Sequence, residues 1–64
     1  MIHFTANGKV NGKIALLVQK RCEGVCTTPA SIMFDGMDWC LNQIGGRTDR
    51  FERLSEAKDE AMKL

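Results

Sequence analysis

A chain of 64 residues with a formal net charge of +1 and 44% hydrophobic residues is sized for a single domain, residues 1–64. The near-neutral charge argues against a strongly basic nucleic-acid binder or an acidic tail, and the ordinary apolar content argues against intrinsic disorder. No apolar segment reaches the length of a membrane span and the first residues lack the pattern of a secretory signal, so we expect a cytoplasmic protein.

Two apolar segments near the N-terminus, residues 1–6 and 13–20, predict the strands of a β-hairpin. Asn7-Gly8 and Asn11-Gly12 lie between them, and Asn-Gly is a dipeptide that type I′ hairpin turns favour. Two registers stay open. A two-residue turn at Asn11-Gly12 gives a long hairpin, whereas a loop over residues 7–12 pairs Ala6 with Lys13.

The second predicted strand is apolar on both faces, because residues 14–18 do not alternate with polar residues. Strands of this kind are usually covered on both sides. A hairpin under a single layer of helix would leave one face in water. We therefore expect either a helix on each face or a second copy of the chain packed against the strand.

The second half of the chain predicts two helices, with residues 20–28 as a connector. Thr28-Pro29 is typical of a helix start, so the first helix is predicted over residues 29–44, ending at Gly45-Gly46. Asp49 and Glu52 resemble a capping box and predict a second helix over residues 49–63. Its apolar stripe comprises Phe51, Leu54, Ala57, Ala61 and Met62.

The first predicted helix has two apolar facets. One is an ordinary core stripe, and the other contains Ile32 and Trp39, with Gly36 and Gln43 near the same line. The second facet packs against either the second helix or another protein, since tryptophan is enriched in interfaces. The predicted interface comprises Ile32, Gly36, Trp39, Gln43, Leu16 and Val18, and a symmetric homodimer is its expected form.

A metal site is one alternative. Cys22, Cys26, Cys40 and His3 supply the ligand types of zinc sites with three cysteines and one histidine. The spacing fits loosely, because Cys40 stands alone where a second close pair is usual. The competing interpretation is a buried apolar Cys40 and two free thiols. We expect no cofactor and, since no nucleophile stands beside a base in the pattern, no enzymatic activity.

Nucleic-acid binding is the other alternative. Arg47, Arg50 and Arg53 gather at the start of the second predicted helix, and Lys20 and Arg21 end the second strand. A helix-turn-helix could present such side chains to DNA. Acidic residues on the same helix argue against it, because a nucleic-acid footprint is normally a patch of one sign.

The predicted fold class is α+β in the order ββαα. An N-terminal β-hairpin is followed by two α-helices, and the small single-layer sheet packs on the helices and can be extended by dimerisation. The predicted function is a non-enzymatic protein-binding or regulatory module that self-associates and binds a protein partner through an apolar surface. No membrane partner is expected.

Overall fold

The computed structural model describes all 64 residues as a five-stranded antiparallel sheet followed by one helix. The elements are β1 (Ile2–Val10), β2 (Lys13–Cys22), β3 (Val25–Phe34), β4 (Trp39–Gln43), β5 (Thr48–Phe51) and α1 (Leu54–Ala61). Each strand pairs with the next one in the chain. The predicted α+β fold of order ββαα is therefore wrong, because the chain forms five strands and a single short helix.

The predicted N-terminal hairpin is present, and its turn is at Asn11-Gly12, where Val10 pairs with Lys13. Asn11 and Gly12 have φ values of 53° and 80°, the positive angles that a type I′ turn requires. The other Asn-Gly pair, Asn7-Gly8, lies in a bulge at which the register of β1 against β2 shifts. The first strand therefore continues past the point where the sequence suggested that it ends.

Residues 29–44, predicted as a helix, form most of β3, a tight turn and β4. The Asp35 carboxylate accepts hydrogen bonds from the backbone N–H groups of Met37 and Asp38 at 2.8 and 2.7 Å. Gly36 has a φ of 107°, which a residue with a side chain adopts only under strain. An Asp-Gly pair between apolar segments is a hairpin signal. The helix prediction failed because this signal stood inside the helical pattern.

Pro29 lies inside β3 instead of starting a helix. The register between β2 and β3 shifts between Val18 and Lys20, opposite Thr28-Pro29. A bulge tolerates proline because proline has no N–H to donate and the ladder needs no hydrogen bond from the residue at that position. The Pro29 carbonyl still accepts a hydrogen bond from the Ile44 N–H at 2.9 Å, which links β3 to the end of β4.

Only residues 54–61 of the second predicted helix are helical. Residues 48–51 instead pair with β4 as β5, placing Phe51 beside Trp39. The helix begins after Arg53, whose backbone N–H donates to Glu56 Oε1 at 3.2 Å. The cap predicted at Asp49 is therefore displaced four residues along the chain.

The core lies between α1 and one face of the sheet. Ala57 and Ala61 of α1 are fully buried, and their small side chains let the helix approach the strands closely. They pack in one cluster with Val18, Ala30, Ile32 and Leu41. Only eight of the 64 residues are buried, so much of the apolar surface of this chain is only partly shielded.

The helix is too short to cover its face of the sheet. Eight residues of helix span about 12 Å, whereas the long axis of the molecule measures 37 Å. The opposite face carries no helix and is mixed in character, with polar and small apolar side chains. From the strand register, this second face includes His3, Thr5, Ala15, Leu17, Gln19, Ser31, Met33, Cys40, Asn42 and Arg50.

We predict that Ile32→Ala lowers the free energy of unfolding by about 2–5 kcal/mol, because it opens a cavity among fully buried side chains. Chemical denaturation of the purified protein measures this change. Ile44→Ala is the matched control, since Ile44 is 80% exposed and its truncation removes little packing. Equal losses for the two variants would contradict the position of Ile32 in the core.

Candidate functional site

An open groove of about 520 Å³ lies on the helix side of the sheet. It is bounded by the β1–β2 turn at one side and by the first turns of α1 at the other. Four apolar and three basic side chains line it, together with one glycine. They are Ile14, Leu16, Trp39 and Leu54; Lys9, Lys13 and Lys58; and Gly12.

The groove exists because α1 stops short of the β1–β2 turn. Ile14 and Leu16 alternate with the opposite face of β2 and therefore point to the helix side, in line with the buried Val18. Val18 is fully buried, Leu16 is half-buried and Ile14 is 51% exposed. Burial thus decreases along a single strand as the cover of the helix ends.

Trp39 lines the groove and packs against neighbouring aromatic residues. Its ring centroid lies 5.3 Å from that of Phe34, with the planes tilted by 50°, and it pairs with Phe51 across β4 and β5. The Asn11 side chain donates to the Phe34 carbonyl at 3.0 Å, which fastens the β1–β2 turn to the end of β3. The half-buried indole therefore packs against Phe34 and also lines the open groove.

The basic side chains of the groove are not neutralised by the protein. The ion pairs of the structure join Arg47 to Asp49, Arg50 to Asp35 and Asp38, and Lys63 to Glu60. None of them involves a lysine of the groove, and no carboxylate lines it. Lys58 Nζ lies 5.5 Å from the centre of the Phe4 ring, a cation–π contact. The lining of the groove thus combines apolar side chains with the unpaired positive charges of three lysines.

A second cluster lies at the β3–β4 turn. The Arg50 guanidinium donates to Asp35 Oδ2 and lies 3.8 Å from Asp38 Oδ2. The backbone N–H groups of Asp38 and Met37 hold the pKa of Asp35 below its ordinary value of 3.8; burial opposes them, and the Arg50 charge, a smaller effect than burial, adds to the lowering. These contacts join the turn to β5, so we interpret the cluster as structural.

Cys40 is a poor nucleophile in this setting. Its thiol is buried and donates a weak hydrogen bond to Asp35 Oδ2 at 3.7 Å. Burial, followed by the negative charge of Asp35, raises the pKa of the Cys40 thiol above 9.0. The reactive form of cysteine is the thiolate, which both effects disfavour.

The residues predicted for the interface are separated by the fold. Val18 and Ile32 are fully buried in the core of the chain itself and offer no surface to a partner. Gly36 lies in the exposed β3–β4 turn, and Gln43 is half-buried at the end of β4. Leu16 and Trp39 do meet, in the groove. Sequence reasoning missed Ile14, Leu54 and Lys58 there, because it placed Trp39 on a helix.

The basic residues considered for nucleic-acid binding do not form one patch. Arg47 and Arg50 are engaged with carboxylates, and Arg53 precedes the helix. Lys20 donates to the Leu64 carbonyl at 2.8 Å, which ties β2 to the residues after α1. Arg21 follows in β2 and is exposed.

The four residues considered for zinc are not brought together, and no group of three or more histidine, cysteine or acidic side chains is placed to hold a metal. Cys22 and Cys26 are exposed at the β2–β3 turn, where Cys22 pairs with Val25. Cys26 follows Val25 in β3, so its side chain points to the face of the hairpin opposite to that of Cys22. His3 lies on β1, hydrogen-bonded to Gln19 at 3.1 Å.

The eight residues of α1 are far fewer than a helix needs to traverse a lipid bilayer, and the chain has no other helix. Comparison of the chain with protein-family models, curated proteins and solved structures finds no match. The geometry and charge of the groove are therefore the features that bear on function.

We predict that the Asp35→Asn variant loses less stability in acid than the wild-type protein does. A carboxyl whose pKa is lower in the folded than in the unfolded state stabilises the fold above the unfolded-state pKa of about 3.9, and this contribution disappears as the pH falls through the folded-state value. The melting temperature of the wild-type protein should therefore fall more steeply below about pH 4 than that of the variant. Thermal unfolding followed by circular dichroism across this range measures both profiles.

The control is Asp59→Asn, which removes an exposed carboxylate that forms no ion pair. It should keep the wild-type acid profile. Parallel profiles for wild-type protein and Asp35→Asn would refute the stabilising role of this cluster.

Proposed function

We propose that this chain is a small non-enzymatic protein-binding module that holds apolar side chains of a partner in the groove above Trp39. The observation that carries the proposal is a groove lined by the half-buried indole of Trp39 and by the 51%-exposed Ile14, whose lysines have no carboxylate partner. Clefts that combine an aromatic anchor with apolar walls are typical of recognition sites.

The charge of the groove favours an acidic partner. Lys9, Lys13 and Lys58 line the groove together with its apolar residues, and none of these lysines forms an ion pair, so a segment that carries both leucine-like side chains and carboxylates complements them. We therefore propose a partner segment with alternating apolar and acidic residues. The apolar side chains would cover Trp39 and Ile14, and the carboxylates would pair with the lysines.

A protein partner fits this site better than a nucleic acid does. The groove offers one tryptophan and several aliphatic side chains, whereas single-stranded nucleic acids are usually bound along a track of several aromatic rings. A cytoplasmic location belongs to the same proposal, since exposed free thiols such as Cys22 and Cys26 suit a reducing compartment.

We predict that an acidic peptide of alternating leucine pairs and glutamates binds and changes the fluorescence of Trp39, the only tryptophan. A peptide with lysine in place of each glutamate should not bind. Ile14→Asp should raise the dissociation constant for the acidic peptide by about tenfold or more, because it places a carboxylate between the lysines. Raising the salt concentration should weaken binding as well, since the charged contacts are exposed.

Val25→Asp is the matched control, because Val25 is also a β-branched residue on a strand, is 62% exposed and lies at the far turn. It should bind the acidic peptide as the wild-type protein does. Tight binding of a single-stranded oligonucleotide, with no response to the acidic peptide, would favour the nucleic-acid alternative. No fluorescence change with either probe would overturn the proposed role of the groove.

A further inference from the structure

The first strand leaves one edge of the sheet unpaired. The Arg21 N–H donates to the Met1 carbonyl at 2.9 Å and the Met1 nitrogen donates to the Arg21 carbonyl at 3.0 Å, so these two residues exchange both hydrogen bonds. In an antiparallel ladder, pairs of this kind alternate with pairs that exchange none. His3 and Thr5, two and four residues further along an unbroken register, therefore also bond towards β2.

The intervening residues face the other way. The backbone N–H and C=O groups of Ile2, Phe4 and Ala6 point away from β2, because each stands between two inward-bonding residues. No other strand lies beyond β1, which is the first strand of the sheet. These groups therefore form a regular row of donors and acceptors available to another strand.

This edge lacks the protection that sheet edges usually have. Natural edge strands are commonly short or carry charged side chains that prevent further pairing. The other edge, β5, has four residues and includes Asp49 and Arg50. By contrast, residues 1–6 contain no lysine, arginine, aspartate or glutamate. The first lysine, Lys9, comes only after the bulge at Asn7-Gly8.

We infer that β1 pairs antiparallel with β1 of a second copy of this chain, around a two-fold axis at Phe4. In this register Phe4 faces the partner's Phe4, and Ile2 faces the partner's Ala6. The outward-pointing groups of all three residues then find reciprocal hydrogen-bond partners. The same surface serves both copies, as a two-fold interface requires. The two sheets join into one, with both helices on the same face.

The side chains at this contact suit the pairing. Ile2 and Phe4 are half-buried and pack against the core cluster on the helix side, and each Phe4 ring lies under Lys58. Juxtaposed Phe4 rings would bury further apolar surface, because directly opposed residues on one face of a sheet are in contact. A short strand pair is a small interface, so the expected dissociation constant lies between about 10 µM and about 1 mM.

Amide hydrogen exchange by NMR tests the register residue by residue. The amides of His3 and Thr5 should be protected at every concentration, because they bond to β2 within one chain. Those of Phe4 and Ala6 should gain protection only as the concentration rises from about 10 µM to about 1 mM, in step with the mass measured by sedimentation. In a mixed-label sample, an intermolecular contact should join the Hα of His3 to the Hα of the partner's Thr5.

Ala6→Pro removes one outward N–H and leaves the inward hydrogen bonds of β1 in place, so it should raise the dimer dissociation constant at least about tenfold. The Ala6→Ser variant keeps the N–H and should dimerise like the wild-type protein. The Ile14→Asp variant should also dimerise normally, which would show that dimerisation does not use the groove. The exchange measurements on wild-type protein stand independently of whether Ala6→Pro folds. A single-chain mass at about 1 mM, or a dimer in which Phe4 and Ala6 exchange freely, would overturn the inference.

Discussion

The contact of Ala57 and Ala61 with the centre of the sheet is the interaction on which the molecule depends. These two side chains, fully buried against Val18, Ile32 and Leu41, are what α1 contributes to the central cluster. Because alanine is small, the helix lies close to the strands, but it brings little apolar area of its own. The core is therefore small and lies at the middle of the sheet. The apolar side chains that α1 does not cover line the groove at Trp39, and no element pairs with the outer edge of β1.

The parts of the chain outside this core are held by directed polar contacts. Arg50 of β5 reaches the two carboxylates of the β3–β4 turn, and Asn11 fastens the first turn to β3. Lys20 holds the residues after α1 in a similar way. These contacts are partly exposed, and each exposed contact contributes little to stability. Their role is to set the position of turns that the small core does not touch, including the turn that borders the groove.

The sequence predicted a first hairpin because Asn-Gly pairs are strong local signals that need no tertiary context, but it left open whether the turn lies at Asn11-Gly12 or spans residues 7–12. The two-helix half was wrong for a physical reason. Around Trp39 the apolar residues fit both a helical period and a two-residue alternation interrupted by a turn, and the Thr28-Pro29 pair favoured the helical interpretation. Tertiary pairing decided the outcome: β3 and β4 complete a sheet that two strands could not stabilise alone.

The residues predicted as one interface lie in separate places for the same reason. Trp39 and Leu16 were recognised as candidates for contact, yet Ile32 and Val18, grouped with them, are core residues. Only the sheet register brings Leu16 of β2 and Trp39 of β4 to one surface, together with Leu54 of the helix. A residue such as Lys58, which is 45 positions after Lys13, could not be assigned to that surface from sequence spacing.

The strands occur in the sheet in the order in which they occur in the chain, with α1 after all of them. Each strand can therefore pair with its sequence neighbour without waiting for a distant segment. The side chains of Val18, Ile32 and Leu41 stay in water until the helix packs on the sheet. A chain truncated before residue 54 would keep the residues of all five strands but leave this face of the sheet uncovered, the state most exposed to aggregation and to capture by chaperones.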